Sequence, residues 1–199
     1  VAPADASVLL IGMGERYDAV VTLGDGVFPL VAEPVGKAGL ARALVRTGAG
    51  DTPAPSYRPK ELTAAPVTVE ALQVRAGSAL PRRDPDSVQD LRLSGSMRQY
   101  VWTINGRSYD DAEPLTIRQG QAARLRVRNL TMMPHPLHVH GHTFQIGPAG
   151  GTGPRKDTVL VPAMRAVDVN LTADNPGNWM VHCHNAYHME AGMARVVSY

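Results

Sequence analysis

The sequence predicts an all-β fold, a β-sandwich, on three observations. Strand-length apolar runs recur at short spacing, turn signals built on glycine, asparagine and proline separate them, and only residues 185–190 invite a short helical turn. In order, residues 7–11, 18–23 and 27–31 read as strands between glycine turns, the terminal strands of one β domain within residues 1–47. Residues 48–66 carry Pro53, Pro55, Pro59 and Pro66 among small and polar residues, so an extended linker is expected there. Residues 67–199 are expected to form a second domain. It opens on a weak strand signal at 67–74 and continues with strands at 89–94, 100–104, 115–117, 122–129, 137–146, 157–161, 166–171, 178–182 and 193–198. Asn105-Gly106 is a hairpin turn signal, and Gln119-Gly120 and Asn175-Pro176-Gly177 supply further breaks. There is no internal repeat and no heptad.

Composition excludes several functions. Of 199 residues, 44% are hydrophobic and 19% charged, as in a soluble globular protein and unlike a disordered one. The formal charge of +2, from 20 Lys and Arg scattered among 18 Asp and Glu with no basic run beside aromatics, argues against a nucleic-acid partner. No apolar stretch approaches the roughly 18 residues of a membrane span. Residues 1–10 lack the charged start and long apolar middle of a signal peptide. Cys183 is the single cysteine, so no disulfide forms within the chain.

The chemistry lies near the C-terminus. All seven histidines fall in two clusters, His135, His138, His140 and His142, then His182, His184 and His188, with Cys183 between His182 and His184. Side chains alternate along a strand, so His138 and His140 share a face, as do His182 and His184, while Cys183 points the opposite way and can meet His135 and His188. A thiolate, two imidazoles and a weak thioether form the ligand set of a blue-copper site, and Met193, five residues after His188, can supply the thioether. Cys183, His135, His188 and Met193 are assigned to that site. The imidazoles of His138, His140, His182 and His184 suit copper or zinc, and copper is preferred because zinc does no redox work beside a blue-copper centre. His142 is expected to be a hydrogen-bonded structural residue, Met132 and Met133 packing residues, Trp102 and Trp179 core anchors, and Arg155-Lys156-Asp157 a solvated loop opening a strand.

His135-Pro-Leu-His138-Val-His140-Gly-His142-Thr-Phe144 and His182-Cys183-His184-Asn-Ala-Tyr-His188-Met-Glu-Ala-Gly192-Met193 resemble, in order and spacing, the two C-terminal copper signatures of multicopper oxidases, including laccases and bacterial metal oxidases. Gly14-Glu-Arg-Tyr17-Asp is similar to a segment near the end of the middle domain of three-domain members. The resemblance implies a cupredoxin-like Greek-key β-sandwich preceded by the terminal strands of a second such domain. It implies type 1 copper on His135, Cys183, His188 and Met193, type 2 copper on His138, and type 3 copper on His140, His182 and His184. It further implies one-electron oxidation of a phenolic or metal-ion reductant near His188, with Cys183, His182 and His184 joining that site to a trinuclear cluster that reduces dioxygen to water, and a periplasmic or extracellular location. Family members carry two more H-x-H signatures, whereas no histidine precedes His135 here. The N-terminal half of the same protein is therefore expected to complete the cluster, and the chain alone to be inactive. Some relatives have an acid directly after the counterpart of His188, where this sequence has Met189 and then Glu190. The alternative is an electron-transfer module using the type 1 site only. Four further histidines argue against it, and the His-Cys-His triplet argues against a copper nitrite reductase. With no methionine-rich insertion, phenols are favoured over cuprous ion as reductant.

Overall fold

A computed structural model describes residues 1–148 and 150–199. Its backbone contacts divide into two compact units, one formed by Ala6–Leu9 and Tyr17–Pro66, the other by Val1–Asp5, Leu10–Arg16 and Val67–Tyr199.

In the smaller unit, β1 (Val27–Ala32) and β2 (Ala41–Arg46) pair antiparallel, from Val27 opposite Arg46 to Ala32 opposite Ala41. Arg42 ties the following segment down by donating to the carbonyls of Pro53 and Ala54 at 2.7 and 2.8 Å. The strands expected at 7–11 and 18–23 do not form. Val20 is 99% exposed, so the valine run there buries nothing and gains no packing that would hold it extended.

The larger unit is the expected β-sandwich. Its strands are β3 (Ser87–Ser96), β4 (Val101–Ile104), β5 (Leu115–Thr116), β6 (Ala122–Asn129), β7 (His135–Val139), β8 (Phe144–Ile146), β9 (Arg155–Lys156), β10 (Thr158–Val161), β11 (Ala166–Thr172), β12 (Asn178–Cys183) and β13 (Ala194–Ser198), with one short helix, α1 (Ala186–Glu190). One sheet runs β10-β7-β12-β13-β5 and the other β4-β3-β6-β11-β8-β9. Most pairings are antiparallel, but β3 lies parallel to β6 and β13 parallel to β5. Alternation places Leu91 and Leu93 of β3, Leu125 and Val127 of β6, and Val169 and Leu171 of β11 in one core with Leu137, Val139, Val159, Val161, Val181 and Val197 of the facing sheet. No helix among the described residues is long and apolar enough to cross a membrane.

Two further strand expectations are corrected. Residues 67–74 form no strand but a 3-10 turn at Val69–Ala71 that buries Val69 against the core. The run 137–146 is two strands in different sheets, because the chain turns at Gly141 with φ of +67°. A Cβ there would stand 2.4 Å from Cδ2 of Trp179, so glycine alone lets the turn close against the indole.

Candidate metal centre

The histidine motifs occupy β7 and β12, antiparallel neighbours registered with Val181 opposite Val139, His182 opposite His138 and Cys183 opposite Leu137. This register places chemistry on both faces of one strand pair. On the buried face, Cys183 Sγ lies 3.6 Å from His135 Nδ1 and 3.7 Å from His188 Nδ1, and the two nitrogens are 3.1 Å apart. His188 is brought back by α1, whose first turn is capped by the Asn185 side chain accepting from the Tyr187 amide. Met193 is fully buried beside this group. Its amide donates to the His188 carbonyl at 2.9 Å and its carbonyl accepts from the Cys183 amide at 3.0 Å.

Two side chains outside the motifs orient the imidazoles. Thr131 Oγ1 is 2.7 Å from His135 Nε2, which leaves Nδ1 to face the sulfur, and Thr131 is itself held by Asn129 Oδ1 at 2.9 Å. Trp102 stacks on His188 with ring centroids 4.0 Å apart and meets His135 edge-on at 5.3 Å. Expected to be a core anchor, Trp102 is buried as anticipated but forms a wall of this pocket as well.

The donor set fits copper. Cys183 and His135 are fully buried and His188 nearly so, with no carboxylate among the three. Burial, reinforced by the charge of nearby His188, takes the His135 imidazole from 6.5 down to about 4, and burial lowers His188 too. Both rings are therefore neutral donors at neutral pH. Burial pushes the Cys183 thiol up to about 12, partly offset by a backbone hydrogen bond from Asn185, so a bound cation must displace a proton to obtain the thiolate. A soft sulfur with two imidazoles in a buried pocket suits copper far better than a hard ion.

On the opposite face, His138, His140, His182 and His184 converge, with centroids 4.8 Å apart for His138 and His140, 5.1 Å for His140 and His182, and 5.8 Å for His182 and His184. His140 Nε2 and His182 Nε2 are 3.0 Å apart. His138 donates through Nδ1 to the Asp157 carbonyl at 2.8 Å, and His182 through Nδ1 to the Cys183 carbonyl at 2.9 Å, so in both neutral rings the lone pair lies on Nε2, the atom that His182 turns to His140. His140 and His184 are exposed. Among the described residues, His135, Cys183 and His188 are the one group of three or more His, Cys, Asp or Glu whose donor atoms all lie within 4.8 Å of one another; the four other imidazoles form an open array.

Comparison with known proteins agrees with this donor chemistry. The family model described as multicopper oxidase matches residues 82–199. The chain belongs to the multicopper oxidase family. Multicopper oxidase MmcO of Mycobacterium tuberculosis is 50% identical over 200 residues, covering 100% of this chain and 40% of that protein. Copper resistance protein A of Escherichia coli is 39% identical over 116 residues, covering 58% of this chain and 19% of that protein. The chain thus spans less than half the length of these relatives. Among solved structures, Fet3p, described as a multicopper oxidase that functions in iron import, gives a TM-score of 0.69 at 17% identity over 86% of this chain and 44% of that one. The laccase from Botrytis aclada gives 0.61 at 21% identity over 78% and 36%. These two likenesses show the cupredoxin-like fold, and membership of the family makes copper the cofactor.

Beyond its signature motifs, this family member holds its histidines through residues to which pattern reading gave no such role. Thr131 and Trp102 are two, and the third is the segment 155–157, expected to be a solvated loop. Arg155 and Lys156 instead form β9, Lys156 reaches the buried Glu15 carboxylate at 3.2 Å, and the Asp157 carbonyl holds His138. His142 is hydrogen-bonded at both nitrogens, to the His140 carbonyl at 3.0 Å and the Tyr199 hydroxyl at 2.6 Å, in the structural role expected of it. Met133 packs against the core, whereas Met132 is exposed.

Proposed function

We propose that this chain carries the type 1 copper site and half of the trinuclear-cluster ligands of a laccase-like multicopper oxidase. In this reading Cys183, His135, His188 and Met193 hold type 1 copper, His138 holds type 2 copper, and His140, His182 and His184 belong to the type 3 pair. Residues 67–199 are the C-terminal cupredoxin-like domain, 48–66 the linker and 1–47 the end of the preceding domain.

The observation that carries the proposal is the position of Cys183. Its sulfur faces the closed pocket while its two bonded neighbours face the open imidazole array, so a covalent path of one residue, paralleled by the His182 Nδ1–H to Cys183 carbonyl hydrogen bond, joins the two sites. Bound copper supplies one-electron chemistry at the first site and four-electron reduction of dioxygen to water at the second. The residues do the rest. Burial keeps water from the sulfur, Thr131 and Trp102 fix the imidazoles around it, and the backbone carbonyls of Asp157 and Cys183 set the tautomers of His138 and His182. The exposure of His140 and His184 supports completion of the cluster by histidines from the N-terminal half of the same protein. Electrons come from a phenolic or metal-ion reductant, and the enzyme works in the periplasm or outside the cell.

Metal counting and oxygen uptake on the full-length protein test this. About four copper ions, intense blue absorption and oxygen consumption with a phenol or cuprous ion are expected. One copper per chain and no oxygen consumption would overturn the proposal in favour of an electron-transfer module.

A further inference from the structure

Residues 12–16 belong to the same compact unit as the histidine strands, although their sequence neighbours from Tyr17 onward do not. Three contacts tie this turn to the imidazole array. Gly14, at φ of +80°, lies flat against His184: a Cβ there would be 2.4 Å from Cδ2 and 2.7 Å from Cγ and Nε2 of the ring. Arg16 makes a two-pronged pair with Asp157, Nη1 to Oδ1 at 2.7 Å and Nη2 to Oδ2 at 2.8 Å, and Nη1 also donates to the Gly14 carbonyl at 2.8 Å. The carbonyl of that same Asp157 accepts from His138 Nδ1. Between them Glu15 turns inward. Its carboxylate accepts from the Gly12 amide at 2.9 Å and pairs with Lys156, next to Asp157, at 3.2 Å, with the two side chains 1% and 8% exposed.

Accordingly, we infer that this turn is a clamp that sets the directions of His138 and His184, with Gly14 and Arg16 as positioning residues for the cluster. The inference rests on the reading of those histidines as cluster ligands. Stability alone does not account for the arrangement at Arg16, whose side chain is 69% exposed in its pair with Asp157. An exposed pair adds little to folding. Its forked geometry instead fixes the direction of Asp157 and, through its carbonyl, of His138. Gly14 acts on the other histidine because it has no Cβ where one would overlap the ring. Sequence puts about 120 residues between the clamp and His138, yet the two meet through a single amino acid.

The test uses the full-length copper-loaded protein with the substitutions Gly14→Ala, Arg16→Ala and Arg16→Lys. Copper per chain after dialysis against a chelator and the type 2 electron paramagnetic resonance signal report on the cluster. The blue absorption reports on the fold and the type 1 pocket. Gly14→Ala and Arg16→Ala should keep the blue absorption while cluster copper affinity falls roughly ten- to hundredfold, the range found for partners that orient ligands. Arg16→Lys, which keeps the charge and loses the fork, should recover only part of it. If Gly14→Ala also loses the blue absorption, Arg16→Ala decides. Cluster copper retained in Arg16→Ala as in the unaltered protein overturns the clamp. An unaltered protein that takes copper only at the type 1 site overturns the cluster reading and the clamp with it.

Discussion

Without metal, this protein should lose stability as pH falls from about 6.5 to about 4, and His135 should be a main cause. Its ring is fully buried between the Thr131 hydroxyl, the Cys183 sulfur and the His188 imidazole, with no acidic side chain among these partners. Burial first, and the neighbouring His188 second, lower its pKa from 6.5 to about 4. Between those values the unfolded chain binds a proton that the folded chain refuses, so the unfolding free energy decreases as pH decreases. The contribution is fully present above the unfolded value and is lost as pH falls through the window. At 1.36 kcal/mol per unit, the loss is about 2 kcal/mol at pH 5 and about 3 kcal/mol at pH 4. His138, His182 and His188 are lowered by burial as well and steepen the slope. Against a domain stability of about 5–15 kcal/mol, this is a large share. Urea unfolding of chelator-treated protein at pH 7 and pH 5 measures it, and the same pair of curves on His135→Asn isolates one residue. The substitution should remove about 2 kcal/mol of the difference between the two pH values. An undiminished pH dependence in His135→Asn, or stability that rises on acidification below 6.5, would refute the reasoning.

Three further outcomes are expected. Copper entering the Cys183 pocket should release about one proton per ion between about pH 7 and 8, since the thiol holds its proton up to about 12 and burial keeps both imidazoles in their neutral form; calorimetry in buffers of different ionisation enthalpy counts it, and zero release would contradict the pocket's electrostatics. Cys183→Ser should abolish the intense blue absorption while leaving far-ultraviolet circular dichroism unchanged, because a hydroxyl replaces the soft sulfur at nearly constant volume. Trp102→Ala should cost about 3–5 kcal/mol in denaturant unfolding and alter the blue band as well, since the indole both fills core and stacks on His188; a stability loss with an unaltered band would make Trp102 a core residue only.

The meeting of Cys183 with His188 could be read from alternation and short spacing, because β12 and α1 lie close in sequence, and that with His135 from alternation alone, given that the two histidine strands pair. The strand at 122–129 was legible for the same reason, its apolar positions 123, 125 and 127 all turning to one core. What stayed hidden depends on turn geometry and on contacts between distant segments. Trp102 reaches His188 only because β4 lies where α1 packs, and Thr131 reaches His135 by way of a turn. No periodicity signals either contact. The valine run at 18–23 misled in the opposite direction: its pattern is strand-like, but pattern does not supply a packing surface. Gly141 was visible in sequence, yet its consequence, a change of sheet in mid-motif, required knowing that Trp179 stands over it.

The pairing of β7 with β12 also limits how this motif can vary. Because neighbouring residues serve opposite faces, inserting or deleting one residue within β12 would swing the sulfur into the imidazole array and a histidine into the buried pocket, undoing both arrangements together. A change of two residues preserves the alternation. Length variation in this part of the strand should therefore come in even steps, with odd ones confined to the turns beyond it.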